Sequence, residues 1–325
     1  MKLSELLEYN PIVIQCHDNP DPDAIAAGYA LYHYFKSKNK TVRLVYGGKR
    51  SITKPNIVLM VEALDIPLEH VQALKVEGLL ITVDCQYGAG NVTYFEAKDV
   101  AIIDHHIQQV NITDKQEIRS DLASASTIVW DMLSQEGYPV NEYPEVSTAL
   151  YYGLFTDSNA FFEMNQILDK TMRDSLHYDA ELVRRLKNSI ITLRELEIAG
   201  MALIRHSYNA TYHYVMVKAQ ECDPNILGVI SDFALQVDCV NVSIAYTQIQ
   251  EGIKYSVRSC VKEVMANELA AYLSEGIGNG GGSVDRAAGL INEKKYNQTY
   301  GHLNTDEYFL RKLTAYYQTL ESIDE

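Results

Sequence analysis

Two periodicities alternate along the first half of the chain. Short apolar runs rich in β-branched residues occupy 11–16, 41–46, 78–84 and 100–106, and each predicts a strand. Between the first two, 24–38 places Ile25, Tyr29, Leu31, Tyr32 and Phe35 at helical spacing. Two further helical patterns cover 124–136 and 145–155. Strand, loop, helix and strand at this spacing make a βαβ unit. The strands lack in–out alternation, as expected when both faces of a parallel sheet are covered.

Beyond residue 178 the pattern changes. Residues 179–204 read as one long helical segment rich in Leu, Ile, Arg and Glu. After it, strands at 212–218, 240–247 and 253–259 mix with helices at 225–237 and 264–274. A glycine-rich stretch, 276–289, reads as a loop in which backbone can approach a ligand closely, and 304–325 as a helical tail. The expected architecture is therefore α/β. An N-terminal parallel-sheet domain (1–178) is joined by a helical linker (179–207) to a smaller α/β domain (208–325).

The polar residues that interrupt this pattern carry the chemistry. The first strand runs into His17-Asp-Asn-Pro-Asp21-Pro-Asp23, which two prolines force into a loop. The next strands stop at Asp84 and at Asp104-His105-His106, and a helix runs into Thr156-Asp157. In open α/β sheets ligands sit at the carboxyl ends of the strands. Taken singly, Asp23 reads as an N-cap of the following helix, Asp84 as the end of a strand and Asp157 as an Asx-turn. Taken together they predict one cluster whose crowded carboxylates need cations between them. Mixed carboxylate and imidazole donors suit Mn²⁺, with Fe, Co or Zn also served by such ligands.

Composition bounds the function. A net charge of -15, from 43 acidic and 28 basic residues, argues against wrapping long duplex nucleic acid. It leaves room for a small phosphorylated substrate bound through a metal. The five cysteines are scattered and never form a C-x-x-C pair, so buried free thiols in a reducing compartment are expected. Without a leader-like start or an apolar run of transmembrane length, a cytoplasmic protein with no membrane partner is expected.

The motifs His17-Asp-Asn-Pro-Asp-Pro-Asp-Ala, Val-Asp84-Cys, Asp104-His105-His106 and Gly153-Leu-Phe-Thr-Asp157 resemble, in order, those of the DHH phosphoesterase superfamily. Val257-Arg258-Ser259 and the Gly280–Gly289 stretch resemble its companion domain, DHHA1. The whole plan resembles the bacterial nano-RNase and pAp-phosphatase group. The resemblance implies two divalent ions, Mn²⁺ foremost. His17 and Asp21 would hold one ion, Asp23, His105 and Asp157 the other, and Asp84 would bridge them. Asp104 would orient a histidine or merely cap its strand, and His106 would face the substrate phosphate. The implied reaction is in-line attack on phosphorus by a hydroxide activated between the two ions.

In the second domain the resemblance implies substrate contacts from Arg258, Ser259, Gly281, Gly282, Ser283 and Arg286. Arg258 would be a phosphate clamp. The chain departs from the family where Ser283 stands in place of a histidine, with Arg286 three residues on as a replacement contact. The expected activity is hydrolysis of short oligonucleotides, linear dinucleotides or 3′-phosphonucleotides. The alternatives are a pyrophosphatase or exopolyphosphatase, and a catalytically silent nucleotide-binding protein. The sequence leaves the oligomeric state open, a homodimer included.

Overall fold

The computed structural model describes residues 1–110, 113–301 and 303–321, and every statement of number or absence refers to these. The last four residues of the expected tail helix lie outside them. The chain divides into two compact units, Met1–Ile190 and Ile191–Glu325.

Unit one is built on a parallel sheet. Strands β1 (Ile12–Cys16), β2 (Val42–Tyr46), β3 (Leu68–His70), β4 (Lys75–Val83), β5 (Glu96–Asp104) and β6 (Gln116–Ile118) lie in the order β3-β2-β1-β4-β5-β6. The sequence runs away from β1 in one direction and then, from β4, in the other. Such a reversal of strand order opens a crevice at the strand ends, and β1, β4 and β5 all end there. β1 is buried throughout and β4 and β5 are buried over their carboxyl-terminal halves, which explains the unbroken apolar runs there.

Helix α1 (Pro22–Ser37) packs into the main core. Its start corrects the expected cap: Asp21, not Asp23, is the N-cap, its Oδ1 accepting from the Asp23 and Ala24 amides at 3.0 Å each. Pro22 follows at the first helical position, where its missing N–H costs nothing. Helices α2 (Pro55–Ala63), α3 (Ala125–Gln135), α4 (Pro144–Asp157), α5 (Ile167–Ser175) and α6 (Ala180–Lys187) complete the unit. Asp157 is the last residue of α4, so its expected Asx-turn is instead a helix end.

The single helix expected over 179–204 is two. Helix α6 stops at Lys187, and α7 (Leu193–Ile204) starts afresh from Thr192. Thr192 and Glu195 form a reciprocal capping box there. The hydroxyl and carboxylate satisfy the amides that a continuous helix would have bonded internally.

Unit two carries a second six-stranded sheet, in the order β11-β12-β10-β9-β8-β7. Its strands are β7 (Ser207–Asn209), β8 (Tyr214–Lys218), β9 (Val242–Ile249), β10 (Gly252–Ser259), β11 (Gly278–Gly282) and β12 (Arg286–Asn292). Tyr255, Val257 and Phe309 belong to one core, with α9 (Ala266–Ser274) and α11 (Thr305–Glu321). Val215, Val217 and Ala245 belong to another, with α7 and α8 (Asn225–Leu235). The short α10 (Glu293–Tyr300) follows β12.

The expected glycine-rich loop is corrected to a hairpin, β11–β12. Its glycines serve packing. A Cβ on Gly280 would sit 2.5 Å from the Tyr255 hydroxyl, and one on Gly289 2.0 Å from it. No helix is long and apolar enough to cross a membrane.

Candidate metal centre

The ends of β1, β4 and β5 and the end of α4 bring the predicted residues of unit one together. Three overlapping groups hold donor atoms within 4.8 Å of one another: His17, Asp21 and Asp84; Asp84, His105 and His106; Asp23, His105 and Asp157. Asp84 belongs to two of them. Its Oδ2 lies 3.6 Å from His17 Nε2, and its Oδ1 3.3 Å from His105 Nε2. Asp157 Oδ2 is 3.1 Å from the same His105 nitrogen, and Asp21 Oδ2 3.7 Å from His17 Nε2.

Asp84 pays for its central place in backbone strain. It follows the last residue of β4 with φ of 57°, a left-handed conformation uncommon for a residue with a Cβ. Its amide still bonds the Ile103 carbonyl at 2.9 Å, so the turn is tied to β5.

The ring nitrogens are sorted by their neighbours. His105 Nδ1 faces the Leu122 carbonyl at 3.3 Å, an acceptor only, so that nitrogen carries the proton and Nε2 turns to the carboxylates. His106 Nδ1 is 2.8 Å from Asp104 Oδ1, and Gln86 Nε2 donates to the other oxygen of Asp104 at 2.7 Å. Gln86 also accepts the Gln109 and Val110 amides at 2.7 and 3.1 Å, pinning the segment after the Asp-His-His motif. Its role left no trace in the sequence pattern.

Asp23 is fully buried, and its two oxygens accept the Ala125 and Ser126 amides at 2.7 and 2.9 Å. It caps buried amides at the start of α3 that have no partner within the helix, as well as facing His105 and Asp157. Gly153 makes this crowding feasible. A Cβ there would lie 2.4 Å from Ser126 Oγ and 3.1 Å from Asp23 Oδ1. With glycine, α4 approaches closely enough for Asp157, one turn on, to join the cluster.

Charge is strongly coupled here. Burial opposes a charged His17, but Asp21 and Asp84 outweigh it and raise its pKa to about 10. Burial likewise opposes a charged His105, yet Asp157 and Asp84 lift it to about 12. Burial pushes Asp21 up, and the bond to His17 more than reverses this, to about 2. Asp23 is driven well above the carboxylate range by burial and then by Asp84 and Asp157. Asp157 is also raised, chiefly by burial, although His105 opposes the shift. Burial would raise Asp104, but its bonds to His106 and Gln86 hold it low.

The donor set fits divalent ions. Asp84 Oδ1 is buried and has no hydrogen-bond partner among the described residues. A carboxylate oxygen desolvated in this way is costly unless a cation meets it. Protonated His17 and His105 supply that positive charge in the metal-free protein. Oxygen and imidazole donors together match Mn²⁺ and its neighbours.

In unit two, Arg258 lies on β10 directly opposite Arg286 on β12. Its Nε donates to Asp232 Oδ1 of α8 at 2.7 Å. The Ser259 amide bonds the Asp285 carbonyl at 3.0 Å, while its hydroxyl turns to the Val261 carbonyl at 3.1 Å. Ser283 spends its hydroxyl on Asp285 Oδ1 at 2.6 Å, within the β11–β12 turn. Gly281 has open space where a Cβ would stand, and Gly282 closes the strand before that turn. The structure thus gathers Arg258, Ser259 and the 281–286 segment on neighbouring strands, with Ser259 and Ser283 already hydrogen-bonded internally.

Residues 11–154 match the family model described as the DHH family, N-terminal domain. An uncharacterized protein of Methanocaldococcus jannaschii is 24% identical over 296 residues, 89% of this chain and 60% of that protein. A bifunctional oligoribonuclease and PAP phosphatase of Mycoplasma genitalium is 24% identical over 216 residues, 64% of each chain. The chain thus spans less than two thirds of the length of these two relatives. The solved structure of an exopolyphosphatase-related protein from Bacteroides fragilis matches 98% of this chain and 96% of its own, with TM-score 0.73 and 19% identity. That likeness establishes a shared fold.

Proposed function

We propose, for a chain that belongs to the DHH superfamily, that it is a metal-dependent phosphoesterase acting on short oligonucleotides, linear dinucleotides or 3′-phosphonucleotides such as pAp. The observation that carries the reading is Asp84, whose two oxygens face His17 and His105 from the middle of a buried carboxylate cluster. The relative from Mycoplasma genitalium, named as an oligoribonuclease and PAP phosphatase, supports the substrate class.

His17 and Asp21 would hold one ion, Asp23, His105 and Asp157 a second, and Asp84 would face both. When bound, the ions lower the pKa of water and neutralise phosphoryl charge. The remaining work belongs to the protein. By accepting from Nδ1, Asp104 favours the doubly protonated His106, whose half-exposed Nε2–H can then donate to the substrate phosphate or the departing oxygen. Gln86 holds Asp104 in turn. His105, fixed by the Leu122 carbonyl, keeps its Nε2 toward the cluster. Asp23 is tied to the first amides of α3, so the innermost carboxylate is locked in place. In unit two, Arg258 is the candidate phosphate contact, with Arg286 beside it.

The test is product release with Mn²⁺ from a two-to-five-nucleotide RNA, linear pApA, pAp, cyclic di-AMP and pyrophosphate, with Asp84→Ala as control. Turnover of the short nucleotides that the control abolishes is the expected result. Turnover of pyrophosphate alone would overturn the assignment of substrate, and metal binding without any turnover would overturn the enzyme reading.

A further inference from the structure

Arg258 is held in an unusually selective way. Its Nε donates to Asp232 Oδ1 at 2.7 Å, and its Nη1 to Ser256 Oγ at 3.0 Å and the Val257 carbonyl at 3.1 Å. Three of five N–H groups are thereby used. Nη2 donates to nothing among the described residues, although the side chain is only 14% exposed. A mostly buried cation with two unspent donors is an anion contact waiting for its partner.

The space at Nη2 is made by Gly228. A Cβ at that position would come 3.0 Å from Nη2, its only neighbour within 4 Å. Gly228 and Asp232 are one turn apart on α8 and therefore share a face. Glycine is a poor residue for a helix interior, and here a Cβ would meet nothing except the guanidinium.

We propose that Gly228 and Asp232 are positioning residues that aim Arg258 at a phosphate group, Asp232 by fixing Nε and Gly228 by keeping the Nη2 edge open. This rests on the reading of Arg258 as a phosphate contact. A purely structural ion pair would need the carboxylate but would have no use for the glycine.

The experiment titrates the Mn²⁺-loaded full chain with adenosine 5′-monophosphate in a calorimeter and follows thermal unfolding of each variant. Arg258→Ala and Asp232→Ala are each expected to weaken binding about tenfold, the loss of one charge-assisted bond. Asp232→Asn, which keeps an acceptor for Nε, is expected to stay within about threefold of the unaltered chain. The decisive variant is Gly228→Ala. It should bind about fivefold more weakly while its melting temperature holds or rises, because alanine favours the helix. If Arg258→Ala weakens binding but Gly228→Ala and Asp232→Ala do not, the positioning roles are overturned and Arg258 keeps its own. If Arg258→Ala is also neutral, the phosphate contact falls and this inference with it.

Discussion

His106 Nδ1 and Asp104 Oδ1 are 2.8 Å apart, and this contact decides which ring nitrogen of His106 faces outward. Asp104 is buried and held low in pKa, so it accepts rather than donates. Replacing it with Asn would remove the negative charge that raises the His106 pKa, and with it the proton that Nε2 is to donate. Asp104→Asn is expected to lower kcat on a dinucleotide about 100-fold and to leave metal stoichiometry unchanged. Steady-state kinetics beside elemental analysis would show this. A loss of metal equal to the loss of rate would refute the orienting role.

Asp84 has a different signature. It faces His17 and His105 at once, so Asp84→Asn should abolish both activity and tight metal binding. Elemental analysis of the dialysed variant is the check. Retention of two ions would remove Asp84 from the bridging position.

Metal loading should release protons. At pH 7 the metal-free protein keeps His17 and His105 charged, with pKa values raised to about 10 and about 12. A cation can take Nε2 only when that proton leaves, so lowering the pH must weaken binding and raising it must strengthen it. About one proton per displaced imidazole should appear when Mn²⁺ is titrated in buffers of different ionisation enthalpy. Binding that is the same at pH 6 and pH 8 would contradict this.

Gly153→Ala should go against the usual helix preference. In an open helix the change is favourable by roughly 1 kcal/mol. At this position a Cβ would lie 2.4 Å from Ser126 Oγ and 3.0 Å from Ala26 Cβ. Overpacking of that kind costs about 1–3 kcal/mol, and displacement of α4 would carry Asp157 with it. Urea unfolding and metal content together test the prediction. A stabilised variant with full metal occupancy would show that α4 has room to spare.

The parallel sheet of unit one was legible in the chain because its central strands are covered on both faces and read as unbroken apolar runs. Their polar endings at His17, Asp84 and Asp104–His106 were legible because each closes a run that is buried, 12–16, 79–83 and 101–103. The glycine-rich 276–289 segment was misread as a loop because glycine carries no pattern of its own. Tyr255, far off in sequence, is what makes those glycines strand residues. The break between α6 and α7 was missed because apolar spacing continues through 188–192, and only the Thr192–Glu195 capping box ends the run.

What the sequence determined by itself was the set of chemical groups and the local elements that carry them. Periodicity and capping act over a few residues, so they can be read along the chain. Tertiary structure decided the rest: that Asp21 and not Asp23 caps α1, that Asp23 instead closes the start of α3, and that Gln86 holds Asp104. It also decided that Asp232 and Gly228 frame Arg258. The Asp21 cap is local, but which of two nearby aspartates takes it follows from Asp23 being engaged at α3; the other contacts join residues distant in sequence, at distances of a few ångströms that only packing sets.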